Sequence, residues 1–583
     1  SNRNYNLNFS SHEFAYLYNR ATRIFALALT HESPVIFKHK EDVEAVKAEK
    51  KAATPAKSKK KKGKAAPAPK KDNKEVKIDF DNIRNRIIVM PMRAGNYRNL
   101  AAVDGGFIYI AGGSLKKYKL GDEKESNLMD GIRYAIPTAD GKSMLYAFRR
   151  DFAITKLGKA KAGTGKLDLS EMEMKIEPKK EWNQIYWDAW RIYRDYFYVS
   201  NLHNVDWKAE GDRYAQLLRS VSHRMDLDYI LSEMVAESNA GHAYINFGDF
   251  EKVERRETGL LGAELAADYD AGMYKITKIY QGENWTPNRR SPLTEQGVKV
   301  NVGDYIVKIN GQKVSTKENP YMYLENTIGK VVELTVSSKA DGSGAKTYKI
   351  KPINSEMELR YLDWVESRRA MVDKLSGGKI GYIHVPNTAV EGNRELYRGM
   401  YAYHTKEALI IDDRYNGGGF IPWQMAELLD RYNMSYWHRK DMKPMKFPNV
   451  AHEGPKAMLI NYYSSSGGDA FPHFFRKLGL GKLIGTRTWG GLVGISGNAG
   501  LIDGTSMSVP RFGIYDESGW IIEGIGVYPD IEVYDRPDSM AKGIDPGIEA
   551  AVKHLLEELK KPQRKVEKPA DPDRKEFIEV DIK

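Results

Sequence analysis

The sequence contains no cysteine, which excludes disulfide bonds, thiolate nucleophiles and cysteine-ligated zinc. It has no run of about 18 apolar residues, so it predicts no membrane span. The N-terminus lacks a basic segment followed by an apolar one, and no signal peptide is evident in the residues given. Because neither an HExxH motif nor a clustered His and Asp set occurs, we expect no metal and no cofactor.

Positive charge is concentrated in one segment. The net charge is +12, and residues 47–77 hold thirteen lysines against Glu49, Asp72 and Glu75, a local charge of +10. Alanine, lysine and proline dominate this segment, which predicts a disordered insertion with little to bury. No aromatic residues are interleaved for base stacking, so a solvated insertion is favoured over a nucleic-acid or membrane tether. The rest of the chain is nearly neutral, and we expect no nucleic-acid partner.

The 583 residues are enough for several domains. Up to about residue 175, short apolar or alternating runs predict antiparallel strands: "HEFAYLYN", "TRIFALALT", "RNRIIVMPM", "GGFIYIAGG" and "KSMLYAFRR". Asp104-Gly105 and Asp140-Gly141 stand where tight hairpins are needed. This spacing suits propeller blades, although the strands are too few for a closed ring.

A helical block follows from Glu181 to about Glu237. Apolar residues recur there at helical spacing and predict core packing: Trp182, Ile185, Ala189, Ile192, Tyr193 and Tyr196. The segments "AEGDRYAQLLRSVS" and "DLDYILSEMVAES" predict two more helices. His242, in "SNAGHAYINFGD", directly follows this block.

Residues 256 to about 352 predict a β-rich module. Gly259-Leu260-Leu261-Gly262 enters a strand, and "NVGDYIVKINGQKV" places a hairpin at Asn310-Gly311. The series resembles a PDZ domain, which captures an extended peptide at a sheet edge.

From Lys379 onward the pattern becomes βα. "KIGYIHV", "EALIIDDR", "AMLINYY" and "KLIGTRT" are short apolar runs typical of strands buried on both faces. Further strands are expected at 506–510 and in "GWIIEGIGVYPDIEV", and a helix is expected from Asp545 and Pro546.

Two of these strands are followed by turns that contain candidate catalytic groups. The first leads to Asn416-Gly417-Gly418-Gly419, where unpaired amides could form an oxyanion site, although a glycine run is more often only a turn. The second leads to "NYYSSSGGDAFP" and then a helix, which would hold one of three serines exposed beside a helix N-terminus. A flexible polar turn is the alternative interpretation.

The ordered set "GHAY", the PDZ-like module, "DDRYNGGG", "NYYSSSGGDAFP", "GTRTWGG" and "EGIGVYPDIEV" resembles the tricorn branch of the C-terminal processing peptidase clan. The resemblance implies that Ser466 is the nucleophile, His242 the general base and Glu523 the acidic member of the relay. It gives the oxyanion donors as Gly467 and one of Gly417 and Gly418. Without it, His242 would be read as a structural histidine and Glu523 as a strand-face carboxylate.

Two positions distinguish this chain within the clan. Gly241 occupies the place where the archaeal prototype has a serine that bridges histidine and glutamate, so Glu523 would reach His242 directly, through water or through another hydroxyl. Thr488-Trp489-Gly490-Gly491 stands where the Ser/Lys processing proteases carry their lysine base, which favours a histidine base. Lys482 is interpreted as a surface charge.

The resemblance therefore predicts a multidomain fold with a partial β-propeller, a helical cap, a PDZ domain and an α/β sandwich catalytic domain. The expected boundaries are 1–175 (propeller remnant with the disordered insertion 47–77), 176–254 (cap), 255–352 (PDZ), 353–562 (catalytic) and 563–583 (charged tail).

The predicted function is a serine protease that hydrolyses peptides or unfolded polypeptides, and the alternative is a catalytically impaired peptide-binding scaffold. Asp441 is a candidate for preference toward basic side chains, or else a solvated loop carboxylate. The resemblance also implies a homo-oligomer such as a hexamer, and a cytoplasmic location, with a periplasmic one as the alternative.

Overall fold

The computed structural model describes residues 7–10, 15–18, 20–37, 76–246, 248–249, 253–495, 497–498, 500–564 and 566–572. The lysine-rich segment 47–77 lies outside the described residues except for its last two positions, and so do residues 565 and 573–583 of the expected tail. The chain divides into two compact units, Ser1–Lys175 and Ile176–Lys583.

The first unit has antiparallel strands, as the sequence predicted. They form two pairs, a four-stranded meander and a three-stranded sheet: β1 (Leu7–Ser10) with β2 (Ala15–Tyr18), β3 (Phe25–Leu27) with β4 (Ile87–Val89), β5 (Arg98–Val103) to β6 (Gly106–Ala111), β7 (Ser114–Lys119) and β8 (Lys124–Asp130), and β9 (Ile132–Pro137) to β10 (Ser143–Phe148) and β11 (Asp151–Lys156). Asp104-Gly105 connects β5 to β6, and Gly105 has the positive φ of +70° that this tight turn requires. The propeller assignment stays a prediction.

The second unit begins with the expected helices, α1 (Pro178–Tyr196), α2 (Trp207–Ala215) and α3 (Arg224–Ala236). Ile185, Ala189 and Tyr193 are fully buried between them. Contrary to the expectation from the sequence, Tyr196 is not part of this core. It is 36% exposed, and the Arg511 guanidinium lies 4.6 Å from the centroid of its ring.

The next module is one antiparallel sheet with strand order β12-β13-β14-β16-β17, and β15 pairs with β14. Its strands are β12 (Ala263–Asp268), β13 (Met273–Ile279), β14 (Tyr305–Ile309), β15 (Gln312–Lys313), β16 (Val332–Ser337) and β17 (Lys346–Ile350). Asn310 and Gly311 have φ of +48° and +78°, so the predicted hairpin joins β14 to β15. β12 lies at the edge of the sheet.

The remaining elements include a five-stranded parallel sheet covered by helices on both faces. They are α4 (Met357–Ser376), β18 (Ile380–His384), α5 (Val390–Ala402), β19 (Ala408–Asp412), α6 (Pro422–Asp430), β20 (Ser435–Trp437), β21 (Met445–Phe447), β22 (Lys456–Ile460), α7 (Gly467–Lys477), β23 (Gly481–Gly485), β24 (Gly494–Ile495), β25 (Pro510–Phe512), β26 (Tyr515–Asp516), β27 (Gly519–Trp520), β28 (Ile531–Glu532), α8 (Pro537–Ala541) and α9 (Pro546–Glu558). The parallel order is β18-β19-β22-β23-β28. Three short antiparallel pairs, β20 with β21, β24 with β25 and β26 with β27, lie outside this sheet.

Alternate side chains of the buried strands enter two cores, which explains their continuous apolar sequence. Leu409 and Ile411 of β19 pack with α5, α6 and α7, whereas Ala408 and Ile410 pack with α4 and α9. Asp545 caps α9 by accepting from the Ile548 N–H at 3.1 Å, so the terminal helix begins where the sequence predicted.

The strand expected over "GWIIEGIGVYPDIEV" is largely wrong. Only β27 and β28 are strands there, and the segment between them turns because Ile522, Gly524 and Gly526 have φ of +72°, +73° and +75°. Glu523 therefore lies in a turn. In the expected strand 506–510, Met507 forms only an isolated bridge with Ile245.

Within the part of the chain that the structure describes, none of the helices combines the length and apolar composition needed to cross a membrane.

Candidate active site

The carboxyl ends of β19 and β22 bring the two predicted turns together. The Ser465 N–H donates to the Asn416 carbonyl at 2.9 Å. At Gly418, where φ is +82°, an added Cβ would lie 2.7 Å from Cβ of Ser466. The two turns touch so closely that only glycine fits at position 418.

The three neighbouring serines have different environments. Ser464 is fully buried and donates its hydroxyl to the Asp413 carbonyl at 2.8 Å. The Ser465 hydroxyl donates to the Asn416 carbonyl at 3.4 Å. Ser466 lines an open cleft, and its backbone is strained, with φ of +57° and ψ of −115° immediately before α7. Such a strand-to-helix turn holds a serine hydroxyl exposed at the end of a sheet.

His242 lines the same cleft as Ser466. It follows α3, has a positive φ of +58°, and packs edge-on against Trp489 with 5.2 Å between ring centroids. Burial lowers the pKa of His242 below its usual value, and the nearby Glu523 charge offsets part of that change. A neutral imidazole near pH 7 is suited to accept a proton.

Glu523 lies beside His242 but is bound by backbone amides. Its carboxylate accepts from the N–H groups of Gly241 at 2.6 Å, Leu492 at 2.6 Å and Val493 at 2.8 Å. The His242 Nδ1 atom is buried and has no hydrogen-bond partner among the described residues. Glu523 thus holds the residue before the histidine and acts on the imidazole through its charge.

Gly241 is packed too closely for an easy replacement. A Cβ at this position would lie 3.0 Å from Cα of Gly491 and 3.2 Å from Oε1 of Glu523. The absence of a side chain at 241 therefore lets the Glu523 carboxylate approach the main chain directly.

The three candidate oxyanion donors differ in availability. The Gly417 N–H donates to the Pro386 carbonyl at 3.0 Å, and the Gly418 N–H donates to Oδ1 of Asn416 at 2.8 Å. Gly467 begins α7, and its N–H has no acceptor in the described part of the chain. Its amide is thus the one free to bind negative charge.

The cleft has a volume of about 460 Å³ and an aromatic lining: His242, Tyr244, Gly417, Tyr462, Tyr463, Ser465, Ser466 and Trp489. Asp441 is not among these residues; it is exposed, with φ of +68°, in the connection between β20 and β21. No group of three His, Asp or Glu side chains among the described residues is arranged to hold a metal ion.

Three family models match successive parts of this second unit. Residues 178–236 match the tricorn protease C1 domain, residues 259–355 the tricorn protease PDZ domain, and residues 379–533 peptidase family S41. The crystal structure of the tricorn protease aligns over 96% of this chain and 53% of its own, with a TM-score of 0.81 and 25% identity. The chain belongs to the tricorn protease family.

Sequence similarity to other tricorn proteins supports this membership. Tricorn protease homolog 1 of Streptomyces coelicolor is 32% identical over 509 residues, 83% of this chain and 47% of the relative. The tricorn protease of Thermoplasma acidophilum is 31% identical over 458 residues, 77% of this chain and 42% of its own. The chain therefore spans about half the length of these tricorn relatives. Its fold is tricorn-like, with PDZ and S41 peptidase domains.

Asp469, which no sequence motif singled out, joins two parts of this candidate site. The fully buried carboxylate accepts from the Ser466 N–H at 2.7 Å and from the Gly490 N–H at 2.7 Å. Burial raises the pKa of Asp469 to about 6. Trp489 of the 488–491 segment packs against His242. Asp469 therefore links the serine turn to the segment that contacts the histidine ring. Its position three residues after Ser466, as in a helix capping box, was the available signal.

Proposed function

We propose that the chain is a serine peptidase of tricorn type that hydrolyses peptides or unfolded polypeptides. The observation that carries the proposal is the strained Ser466 turn sharing one cleft with His242. Family membership supports it, because the relatives are named as tricorn proteases or their homologs.

In the proposed reaction, His242 takes the proton of the Ser466 hydroxyl as Oγ attacks the substrate carbonyl carbon. The tetrahedral oxyanion is held by the Gly467 N–H, and the imidazolium then gives its proton to the leaving amine. A water molecule activated by His242 hydrolyses the acyl-enzyme. Gly417 or Gly418 supplies a second donor by exchanging its present acceptor for the oxyanion.

Glu523 favours the imidazolium that forms in this step. Burial lowers the pKa of His242, the negative charge of Glu523 offsets part of that fall, and the bond from the Gly241 N–H to Glu523 fixes the backbone next to the histidine. In this proposal the relay is electrostatic and does not need a direct bond between imidazole and carboxylate.

The test is fluorophosphonate labelling and cleavage of an unstructured peptide by Ser466→Ala, with Ser465→Ala as the matched control. Ser466→Ala is expected to lose labelling and to lose peptidase activity by about 10⁴-fold or more. Ser465→Ala removes a neighbouring hydroxyl that donates to a backbone carbonyl, so it should label normally. Labelling that persists in Ser466→Ala would overturn the assignment.

The second candidate is a peptide-binding scaffold with an impaired relay. The observation in its favour is the His242 Nδ1 atom, which is buried without a hydrogen-bond partner among the described residues. Turnover of peptides by the purified chain that is lost in His242→Ala excludes this candidate, whereas binding without turnover supports it.

We also propose that the chain forms the homo-oligomer that the resemblance implied, which light scattering of the purified protein tests directly.

A further inference from the structure

A stacked pair of tyrosines lies at the edge of the candidate active-site cleft. Tyr463 lines the cleft beside Ser466, and Tyr415 is not among the residues of that lining. The two rings are nearly parallel, with an interplanar angle of 22° and 5.5 Å between their centroids. Both side chains are exposed, Tyr415 by 46% and Tyr463 by 64%. An aromatic surface therefore continues from the cleft to the outside of the protein.

The backbone at Tyr415 is strained. Its φ is +64°, in the left-handed region that a bulky side chain rarely occupies. Burial of the ring in a core would offset such strain, but nearly half of this side chain is exposed to solvent. Strained residues of this kind cluster at active sites and at places that hold a ligand. The conformation of Tyr415 thus favours a role in binding over a role in packing.

One buried side chain fixes the main chain of both tyrosines. Asn461 directly follows β22, and its Oδ1 atom accepts from the Tyr415 N–H at 3.2 Å and from the Tyr463 N–H at 3.1 Å. Because Tyr415 follows β19 and Tyr463 follows β22, this single amide sets the separation of two different loops. The pair is therefore positioned before a ligand arrives, which lowers the entropy cost of binding.

Trp364 of α4 extends the aromatic surface. Its ring meets that of Tyr415 edge-on, with 5.8 Å between centroids. The Arg414 guanidinium lies 5.8 Å from the Trp364 ring, but it is buried and pairs with Asp412 at 2.7 Å and Asp545 at 3.0 Å. The surface therefore presents aromatic rings to solvent, because this cation is paired inside the protein.

The spacing of the two tyrosine rings suits an extended peptide. Alternate side chains of an extended chain point to the same face and lie about 6.6 Å apart. The centroids of Tyr463 and Tyr415 are 5.5 Å apart, so two side chains on one face of a substrate strand can meet one ring each. When the residue at the cleaved bond lies in the cleft, Tyr415 is thus within reach of the side chain two positions away.

We propose that Tyr415, with Trp364 beside it, forms a second subsite that binds an aromatic side chain of the substrate, two residues from the one at the cleaved bond. The substrate ring packs against the exposed part of the tyrosine pair and against the Trp364 ring. The proposal rests on the proposed peptidase function of Ser466, and its test therefore measures selectivity between substrates as well as activity.

The test compares peptides that differ at one position. Mass spectrometry of digested synthetic peptides first identifies a cleaved bond, and Phe, Lys or Gly is then placed two residues to either side of the residue whose carbonyl is attacked. On one of these two sides, the parent chain should cleave the Phe peptide with a kcat/KM about three- to tenfold higher than the Gly peptide. A preference for Lys, or no preference on either side, would overturn the proposal.

The variants at position 415 remove or keep the ring. Tyr415→Asn removes it, and Asn tolerates the left-handed backbone better than most residues. The ratio of kcat/KM for the Phe and Gly peptides should fall close to one in Tyr415→Asn and should stay at the parent value in Tyr415→Phe. Any loss in the chemical step that both peptides share cancels in this ratio. A Phe preference that survives in Tyr415→Asn would mean that the ring does not bind substrate.

Tyr269→Asn is the matched control. Tyr269 is an exposed tyrosine in the turn between β12 and β13, and it is absent from the cleft lining. This variant should keep the parent ratio, and a fall equal to that in Tyr415→Asn would contradict a local role for Tyr415.

A second measurement does not depend on the folding of a position-415 variant. A peptide with p-benzoylphenylalanine at the favoured position is photocrosslinked to the chain carrying Ser466→Ala, and mass spectrometry locates the crosslink. We expect it at Tyr415 or Trp364, and crosslinks confined to other segments would overturn the proposal. Fluorophosphonate labelling that persists in Ser466→Ala would count instead against the proposed function, so the two failures are distinguishable.

Discussion

Two loops of this molecule present backbone amides beside glycines, and they are used in opposite ways. In the cleft, the Gly467 N–H at the start of α7 has no acceptor among the described residues. In the PDZ module, the Gly262 and Ala263 amides are filled by Glu356. In the PDZ loop the bonded amides fix a buried internal carboxylate in place, whereas the Gly467 amide stays available for the negative charge that the proposed reaction develops.

Among changes to these two loops, the largest effect is expected from a side chain added beside Ser466 and the free Gly467 amide. In Gly418→Ala, the new Cβ would lie 2.7 Å from Cβ of Ser466 at a residue with φ of +82°. Displacing the serine should lower kcat/KM for a peptide substrate by about 100-fold. Gly158→Ala is the control, because an added Cβ meets nothing within 4 Å there and Gly158 is absent from the cleft lining, so this variant should stay close to the parent activity. Equal losses in the two variants would contradict this account of the loop.

The next effect comes from the carboxylate on the catalytic side. Asp469→Asn replaces one acceptor oxygen with an N–H donor, so it cannot accept from both Ser466 and Gly490, and kcat should fall about tenfold. Asp530→Asn is the control, because Asp530 accepts from the Leu483 N–H at 2.7 Å and is absent from the cleft lining. Steady-state kinetics on both variants separates a local effect from general destabilisation.

The raised pKa of the buried Asp469 carboxyl group should also make the stability of the protein depend on pH. Its folded-state pKa is raised from 3.8 to about 6, so its contribution is fully present below pH 3.8 and is lost as the pH rises through about 6. Urea unfolding across this range should show that loss in the parent chain, and Asp469→Asn should lack it. A slope that is unchanged in the variant would assign the effect to another group.

The bonds from the PDZ entry loop to Glu356 should contribute to the free energy of unfolding. Glu356→Ala leaves the Gly262 and Ala263 amides without their acceptor and should lower the free energy of unfolding by about 1–3 kcal/mol in urea titrations. Glu358→Ala removes a carboxylate whose side chain is 46% exposed and should cost less. A loss in Glu358→Ala as large as that in Glu356→Ala would remove the distinction between the two loops.

The smallest expected effect concerns the electrostatic role of Glu523. Replacing it in Glu523→Gln removes the charge that favours the imidazolium, so the pKa of His242 should fall further. Because His242 must be neutral to act as base, the acid limb of kcat/KM should move to lower pH by about half a pH unit to one. Movement to higher pH would rule out this role.

The sequence predicted the parts of the fold that depend on continuous local patterns. "ALIID" and "AMLI" form buried parallel strands, and Asn310-Gly311 forms its hairpin, because residue type alone constrains these segments. Strands β7 and β8 were missed. In β7 only Leu115 and Tyr118 are buried, so three lysines on its other positions conceal the strand pattern.

The parts of the site that were missed depend on contacts between distant residues. Asp469 and Gly490 are 21 positions apart, and Gly262 and Glu356 are 94 apart, so no local pattern reveals either bond. Glu523 was placed in a strand because its neighbours are apolar, whereas positive φ angles at Ile522 and Gly524 turn the chain there. The proposed roles of Ser466 and His242 came from the order of motifs along the chain.

The PDZ module lies in the sequence between His242 and Ser466, and Glu523 follows both. A ribosome makes these segments in that order, and domains generally fold as they are made, N-terminal first. The PDZ sheet is therefore made before the proposed nucleophile, whereas the helical core beside His242 also needs Leu501, Met507 and Val509, and Glu523 is made after all of these. A chain truncated or stalled before Glu523 would lack the complete proposed catalytic set, so the order of segments itself delays any proteolytic activity until Glu523 has been made.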